Sequence, residues 1–376
     1  MKFLSKIKWN HYINYIVIGI FTAVYAVMTF SGMRIEGSVQ ALLEKIAISI
    51  ILSVSLSLVV GFLGELSLGH AGFMCMGAYL GGKVASLLEP TFGNGPVIFI
   101  IGLVVGGVVA AICGVIIGLP ALRLRGDYLA IVTLAFGEIV KSIFQNTSTE
   151  TFGGAIGLST PRYDKKTLFI WSFVLVLITL AVVQNLIRSK HGRAITAIRD
   201  NEIAARASGI NVTKYKLIAF TVSAFFAGIA GVLYSFSNYT IQSSKFGYNY
   251  SIEILVMVVL GGMGSINGSI IAAALITFLN TKLATVLTGD LAVLQNFLYA
   301  LVLIAVVIYN NAPALRSFRN KYNFGALINK FKKHDPADRR DDKAKWDVVP
   351  TKIEMNEVLS VDMKPQQSQN GDKEEK

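Results

Sequence analysis

Residues 192–234, GRAITAIRDNEIAARASGINVTKYKLIAFTVSAFFAGIAGVLY, join a charged, helix-prone island to a long apolar run. Arg193, Arg199, Asp200, Glu202 and Arg206 crowd the first half, whereas residues 217–237 are apolar enough to cross a bilayer, which takes about 17–25 residues. A polar helix in a short loop between spans has little purpose unless something outside the hydrocarbon grips it. How the rest of the chain is threaded therefore turns on which side of the membrane this island faces.

The chain has 376 residues, 53% hydrophobic and 15% charged. Soluble domains carry about 25% charged residues, so the composition is that of an all-α integral membrane protein. The charge gathers in the first dozen residues, in the Arg188–Lys216 loop and after Asn311. The apolar run Tyr12–Phe30 is long enough to span and has no small-residue cleavage site after it, so it reads as a retained first helix rather than a leader. Cys75 and Cys113 lie in apolar stretches, as small buried hydrophobes do. Neither a disulfide framework nor a metal-ligand spacing is present. In such a protein the net charge of +12 reports loop orientation and not nucleic-acid binding.

Ten apolar runs of spanning length recur, some of them discontinuous: 11–30, 42–63, 67–88, 96–119, 127–146, 168–187, 217–237, 249–263, 268–287 and 293–310. Gly137, Glu138 and Lys141 interrupt the fifth, and Gly261–Gly268 separates the eighth from the ninth. With ten spans, the N-terminus, the 120–126 turn, the 188–216 loop and the C-terminal segment share one side. That side holds Lys2, Lys6, Lys8, Arg123, Arg125, Arg188, Lys190, Arg193, Arg199, Arg206, Lys214, Lys216, Arg316, Arg319 and Lys321. The opposite loops carry fewer cations: Arg34, Arg162, Lys165, Lys166 and Lys245. The bias places both termini and the island in the cytoplasm of a multi-pass protein of the cell membrane. Residues 1–312 are then the membrane domain, with 188–216 as its cytoplasmic loop. Residues 313–376 form a charged tail too poor in apolar residues to fold alone.

Within the island, Asp200 and Asn201 are helix N-cap types, and Glu202 puts negative charge in the first turn, where the helix dipole favours it. Ile203, Ala207 and Ile210 follow at helical spacing, and Gly209 supplies a stop. A helix of one to two turns is unstable alone in water and must pack on something. Local chemistry leaves two partners open: anionic lipid heads gripped by the arginines, or a cytoplasmic protein.

The pattern Glu202-Ile203-Ala204-Ala205-x-x-x-Gly209-Ile210 resembles the loop by which permease subunits of ABC importers seat on their ATPases, with Ile203 intervening between the Glu and the two Ala. Residues 192–234 as a whole are similar to the branched-chain amino acid permeases of that superfamily, the LivM type. GFLGELSLGHAGFMCMGAYL (61–80), LRLRGDYLAIVTLAFGEIV (122–140) and LVMVVLGGMGSINGSIIAAAL (255–275) carry the same resemblance, which covers most of 42–310. Glu65 departs from it, because the family usually has Gln there. The resemblance implies a translocation path for leucine, isoleucine or valine, a second related permease subunit and an extracytoplasmic substrate-binding protein. It also implies two ATPase subunits that bind ATP and Mg, with no cofactor in this chain. Asp200, Asn201, Glu202, Ile203, Ala204, Ala205, Gly209 and Ile210 would form the ATPase-coupling helix, rocking the spans between inward- and outward-facing states. Superfamily relatives also move ribose-like sugars, nucleosides or urea.

Ionisable groups at membrane depth usually face the bundle or a cavity. His70, Lys83, Glu138, Lys141 and Glu253 are of this kind. Glu138 and Lys141, at i and i+3, can pair on one face, either as a neutral structural pair or as groups lining a pathway. Ser67, Gly69, His70 and Glu138 are the candidates for the path itself. Glycines crowd 61–82 and 261–268, where they serve close helix approach, gating or ligand contact. Gly77–Val84 fits a phosphate-loop pattern but ends in Val84 where Ser or Thr is needed, inside an apolar span. Asn211-Val-Thr213 and Arg125-Gly-Asp127 are chance motifs on the cytoplasmic side. An ion-coupled transporter or channel would need paired membrane carboxylates, of which Glu138 is the clear candidate. A membrane enzyme would need a nucleophile–base pair or metal cluster, and His11, His70, His191 and His334 are scattered.

Overall fold

The computed structural model describes residues 13–31, 36–93, 95–122, 127–161 and 163–286, together with single helical residues at 300, 301 and 304. Most of the tenth expected span, 293–310, and the whole 313–376 tail lie outside the described residues. Helices dominate what is described. They are α1 (Ile13–Phe30), α2 (Gly37–Ser57), α3 (His70–Met76), α4 (Gly82–Phe92), α5 (Pro96–Ala121), α6 (Asp127–Asn146), α7 (Thr149–Phe152), α8 (Lys165–Arg188), α9 (Lys190–Asp200), α10 (Glu202–Ala207), α11 (Val212–Asn238), α12 (Tyr248–Gly261) and α13 (Ile266–Val286). Among the described residues, seven helical segments are long and apolar enough to cross a membrane. The protein is an all-α, multi-pass membrane protein.

The segment Gly37–Leu63 is the centre of the bundle, 89% buried along its apolar window and packed by α8, α11, α12 and α13. Its interior mixes Ile48, Ile51, Leu52 and Leu56 with the fully buried Ser53, Ser55 and Ser57. The Ser53 Oγ donates to the Ser269 carbonyl (3.3 Å), and the Ser223 Oγ to the Ser55 carbonyl (2.6 Å). Lipid gives helices little hydrophobic reason to associate, so small and hydroxyl side chains at the seams supply contact instead. On α5 this division is plain. Val97, Ile100, Val104, Val108, Ile112 and Ile116 face outward, while Gly102, Gly106, Ala110 and Gly114 are buried, most of them against α11. A Cβ on Gly228 of α11 would come within 2.5 Å of both the Gly106 carbonyl and the Ala110 methyl.

Two interruptions depart from regular helix. After Ser57 the chain widens into a π-helical turn, Leu58–Leu63, closed by Gly64 in the left-handed region at φ +79°. Residues 64–69 are then non-helical before α3 begins, and a second π-helical turn, Gly77–Gly81, leads into α4. The expected third span, 67–88, thus starts at His70. The bare backbone ahead of it is satisfied by protein, with the Leu68 amide donating to the Thr133 Oγ1 on α6 (3.0 Å). Irregular backbone survives at membrane depth only under such cover.

The eighth expected span, 249–263, needs correction. α12 has 14 residues, roughly 21 Å of helix against a hydrocarbon core of about 30 Å. Gly262 and Gly264, at φ +88° and +84°, turn it sharply into α13. At the other end of α11, Leu158 and Ser159 pair antiparallel with Ile241 and Thr240 (β1 and β2).

Candidate functional site

The charged island folds as two helices where the sequence suggested one. Ser189 starts α9, its side chain accepting from the amides of His191 and Gly192. Asn201, extended at φ −159°, ends α9 and caps α10, its side chain accepting from the Ala204 amide at 3.0 Å. Asp200 is therefore the last residue of α9 and not a helix start, and its carboxylate takes the Arg199 guanidinium at 2.9 Å. α9 buries Ala194, Ile195 and Ile198 against the body. α10 buries Ala205 alone. The stripe expected from Ile203, Ala207 and Ile210 points the other way, with Ile203 76% exposed, Ala207 exposed and Ile210 half-buried. Gly209 closes the motif at φ +82°, a conformation that favours glycine.

Four charges run inward from this knob in alternating sign. The exposed Arg206 guanidinium donates to the Glu202 carboxylate (2.8 Å), and Glu202 also accepts from the Lys216 ammonium (3.0 Å). Lys216, 3% exposed, donates in turn to Glu65 on the non-helical segment after the π-turn. A buried cation is tolerated because two carboxylates compensate its lost hydration. A second tie lies alongside. The Arg199 Nη1 donates to the Gly61 carbonyl at 3.1 Å, and the same side chain packs on Gly64 and Gly264. The π-turn, the left-handed turn at Gly64 and the α12–α13 turn thus all meet the island at Arg199. In the sequence Arg199 and Lys216 are simply two of the loop cations, and Glu65 is a departure from the family pattern far from both.

The expected path residues fall into two groups. Ser67 and His70 are each 2% exposed, with the His70 Nε2 2.8 Å from the Ser55 Oγ. Gly69 packs on Thr133, and the neighbouring Ala71 amide donates to the Ser251 Oγ (3.1 Å). His70, Gly69 and Ala71 thus tie the start of α3 to α2, α6 and α12. Glu138 is elsewhere on α6. It accepts from the Lys141 ammonium (2.6 Å) and from the Tyr248 amide (2.8 Å), so the pair also caps the start of α12. Beside it, Ile139, Ser142, Ile143 and Asn146 line an open groove of about 470 Å³. Residues 77–84 are helical and packed in the bundle, so the phosphate-loop pattern there has no loop. One buried carboxylate escaped notice. Glu44, 3% exposed, accepts from the Ser237 Oγ at 2.6 Å, and its position inside a long apolar run was the available signal.

The family described as branched-chain amino acid transport system / permease component matches residues 38–307. This chain belongs to that family. The permease is 40% identical over 261 residues to the high-affinity branched-chain amino acid transport system permease protein LivM of Escherichia coli K12, covering 61% of this chain and 60% of the relative. It is 39% identical over the same length to LivM of Salmonella typhimurium LT2, with the same coverage. Against the ribose import permease protein RbsC of Escherichia coli K12 it is 27% identical over 285 residues, covering 72% of this chain and 84% of that one. The matched part spans about 60% of the length of the LivM relatives. No solved structure matches the permease.

Proposed function

We propose that this chain is the membrane subunit of an ABC importer, forming a path for branched-chain amino acids handed over by an extracytoplasmic binding protein. The observation that carries this reading is the similarity to LivM across the membrane helices, joined to a protruding α10 that offers Ile203 and Arg206 outward from a rigidly held base. On this reading the chain pairs with a second related permease, and two separate ATPase subunits hold ATP and Mg against α9 and α10. The Lys/Arg bias of the loops supports a cytoplasmic position for α9 and α10, the side where such ATPases are found. The chain itself supplies no ATPase site.

Arg199 and the Arg206–Glu202–Lys216–Glu65 chain give the mechanism its parts. A push on α10 moves Glu202, and through Lys216 it moves Glu65 on the non-helical segment. Arg199 carries the same displacement to the π-turn and to the α12–α13 turn. Both are places where the helical ladder is already broken, so they bend at lower cost than regular helix.

Reconstitution with the cognate ATPase and binding protein tests this. Uptake of labelled leucine that requires ATP supports the reading. Uptake driven by an ion gradient without the ATPase overturns it. The similarity to RbsC supports a second reading, in which the solute is a pentose, and ATP-dependent ribose uptake in the same vesicles would favour that one.

A further inference from the structure

At the end of the bundle away from Arg199, the four helices α2, α11, α12 and α13 enclose a cavity of about 360 Å³. It lies near the lower end of the roughly 300–1,000 Å³ typical of small-molecule sites. The lining is polar for a membrane interior. Lys45 and Ser49 come from α2, Tyr234 from α11, Glu253 from α12, and Thr277 and Asn280 from α13. Lys45 stands roughly 24 Å from Gly61 along α2, at about 1.5 Å per residue. The Asn280 Nδ2 donates to the Glu253 Oε1 at 2.9 Å, which orients that carboxylate. The Thr277 side chain is buried (7% exposed), and its hydroxyl makes no hydrogen bond. Pure packing does not explain this set. Leaving a buried hydroxyl unsatisfied costs about 1–3 kcal/mol, and Glu253, a half-buried carboxylate within an apolar helix, is of the kind that ordinarily serves a pathway or a ligand, with the exposed Lys45 at the mouth.

We infer that this cavity is a transient site for a zwitterionic amino acid, with Glu253 receiving its ammonium group and Lys45 its carboxylate. The inference rests on the importer reading, gives its solute a place in this chain and sets it against the pentose reading. A sugar, a nucleoside or urea carries no pair of opposite charges and has no use for both side chains. An amino acid carries both on one carbon. Thr277 and Ser49 offer hydroxyls to the same head group, while Ile48 and Ala284 leave apolar wall for an aliphatic side chain. The site faces the end at which, by the charge bias of the loops, a binding protein would deliver its cargo.

The test uses the assembled importer in nanodiscs without binding protein. Ala284→Cys, on the exposed rim of the cavity, is labelled with a membrane-impermeant maleimide, with the wild type as control for Cys75 and Cys113. Millimolar leucine should slow labelling, and leucinol, which lacks the carboxylate, should not. Adding Glu253→Gln or Lys45→Gln should weaken protection about tenfold, the scale of one charge-assisted hydrogen bond lost. Thr277→Val, a near-isosteric change, guards against a result due to misfolding and should weaken protection to a smaller degree. Labelling indifferent to leucine in a complex that still imports leucine overturns this site and leaves the importer reading intact. Equal protection by leucinol also overturns it. A complex that imports no amino acid at all defeats the importer reading instead.

Discussion

The Lys216 ammonium lies 3.0 Å from the Glu202 carboxylate, joining the first turn of α10 to the first turns of α11 beneath it. Glu65 holds the same ammonium from the other side. Lys216 is thus the point where a surface knob and a break inside the bundle become one mechanical unit. Replacing it by Met leaves two carboxylates facing each other in a poorly hydrated pocket. Removing one partner of a buried ion pair typically costs about 3–5 kcal/mol. Lys216→Met should therefore lower the thermal unfolding temperature of the purified permease in detergent, whereas Glu65→Gln, which keeps an acceptor for Lys216 and leaves Glu202 in place, should cost below about 1 kcal/mol. Equal melting of the two variants would show that the pairing does not hold the loop.

Ile203 gives a clean test of docking because nothing in the fold depends on it. It is 76% exposed on a helix whose only buried side chain is Ala205. Ile203→Asp should leave insertion and melting unchanged, within about 0.5 kcal/mol as for surface changes generally, while abolishing co-purification of the ATPase. Retained ATPase binding, with membrane association weakened instead, would assign α10 to lipid. Glu202→Lys is a poorer choice, since it sets a second cation against buried Lys216 and damages the base as well as the tip.

Much of this was legible in the sequence, and the reasons differ by element. Runs such as 96–119 and 168–187 are continuous and apolar, so the helices there were evident from length alone. α12 was legible as a helix stopped by the glycines at 261–268, but its 14 residues fall short of a full span. The Asn201 cap was legible as a residue type, but so was Asp200, and chemistry alone could not tell the end of α9 from the start of α10. The Arg199 and Lys216 ties were out of reach. Arg199 with Gly61 and Lys216 with Glu65 join positions more than a hundred residues apart, and loop arginines and lysines look alike until packing selects one.

Arg199 separates docking from transmission. Its guanidinium bonds the Gly61 carbonyl at 3.1 Å and covers Gly64 and Gly264, yet it makes no part of the exposed tip of α10. Arg199→Ala removes that bridge and leaves Ile203 and Arg206 in place. The expected result is a complex that still binds the ATPase and hydrolyses ATP but imports about tenfold less solute per ATP, since one charge-assisted bond of about 1.5–3 kcal/mol no longer links the two motions. Uptake per ATP equal to wild type would remove Arg199 from the coupling route.

Glu138 carries two roles that one substitution can part. Its carboxylate binds Lys141 at 2.6 Å and the Tyr248 amide at 2.8 Å, and it borders the groove beside Ile139 and Ser142. Gln at this position keeps an acceptor for the Tyr248 amide and loses the charge. The ion pair is partly exposed, with side chains 23% and 31% accessible, and such pairs contribute about 0–1 kcal/mol. If the pair is structural, Glu138→Gln should melt within about 1 kcal/mol of wild type and transport normally, because the cap on α12 survives. Glu138→Leu, which removes the acceptor too, should lower stability by about 1–3 kcal/mol through the orphaned amide. Uptake lost in Glu138→Gln at unchanged melting temperature would instead place a fixed negative charge on the solute path, and melting curves with initial uptake rates of the two variants decide between these.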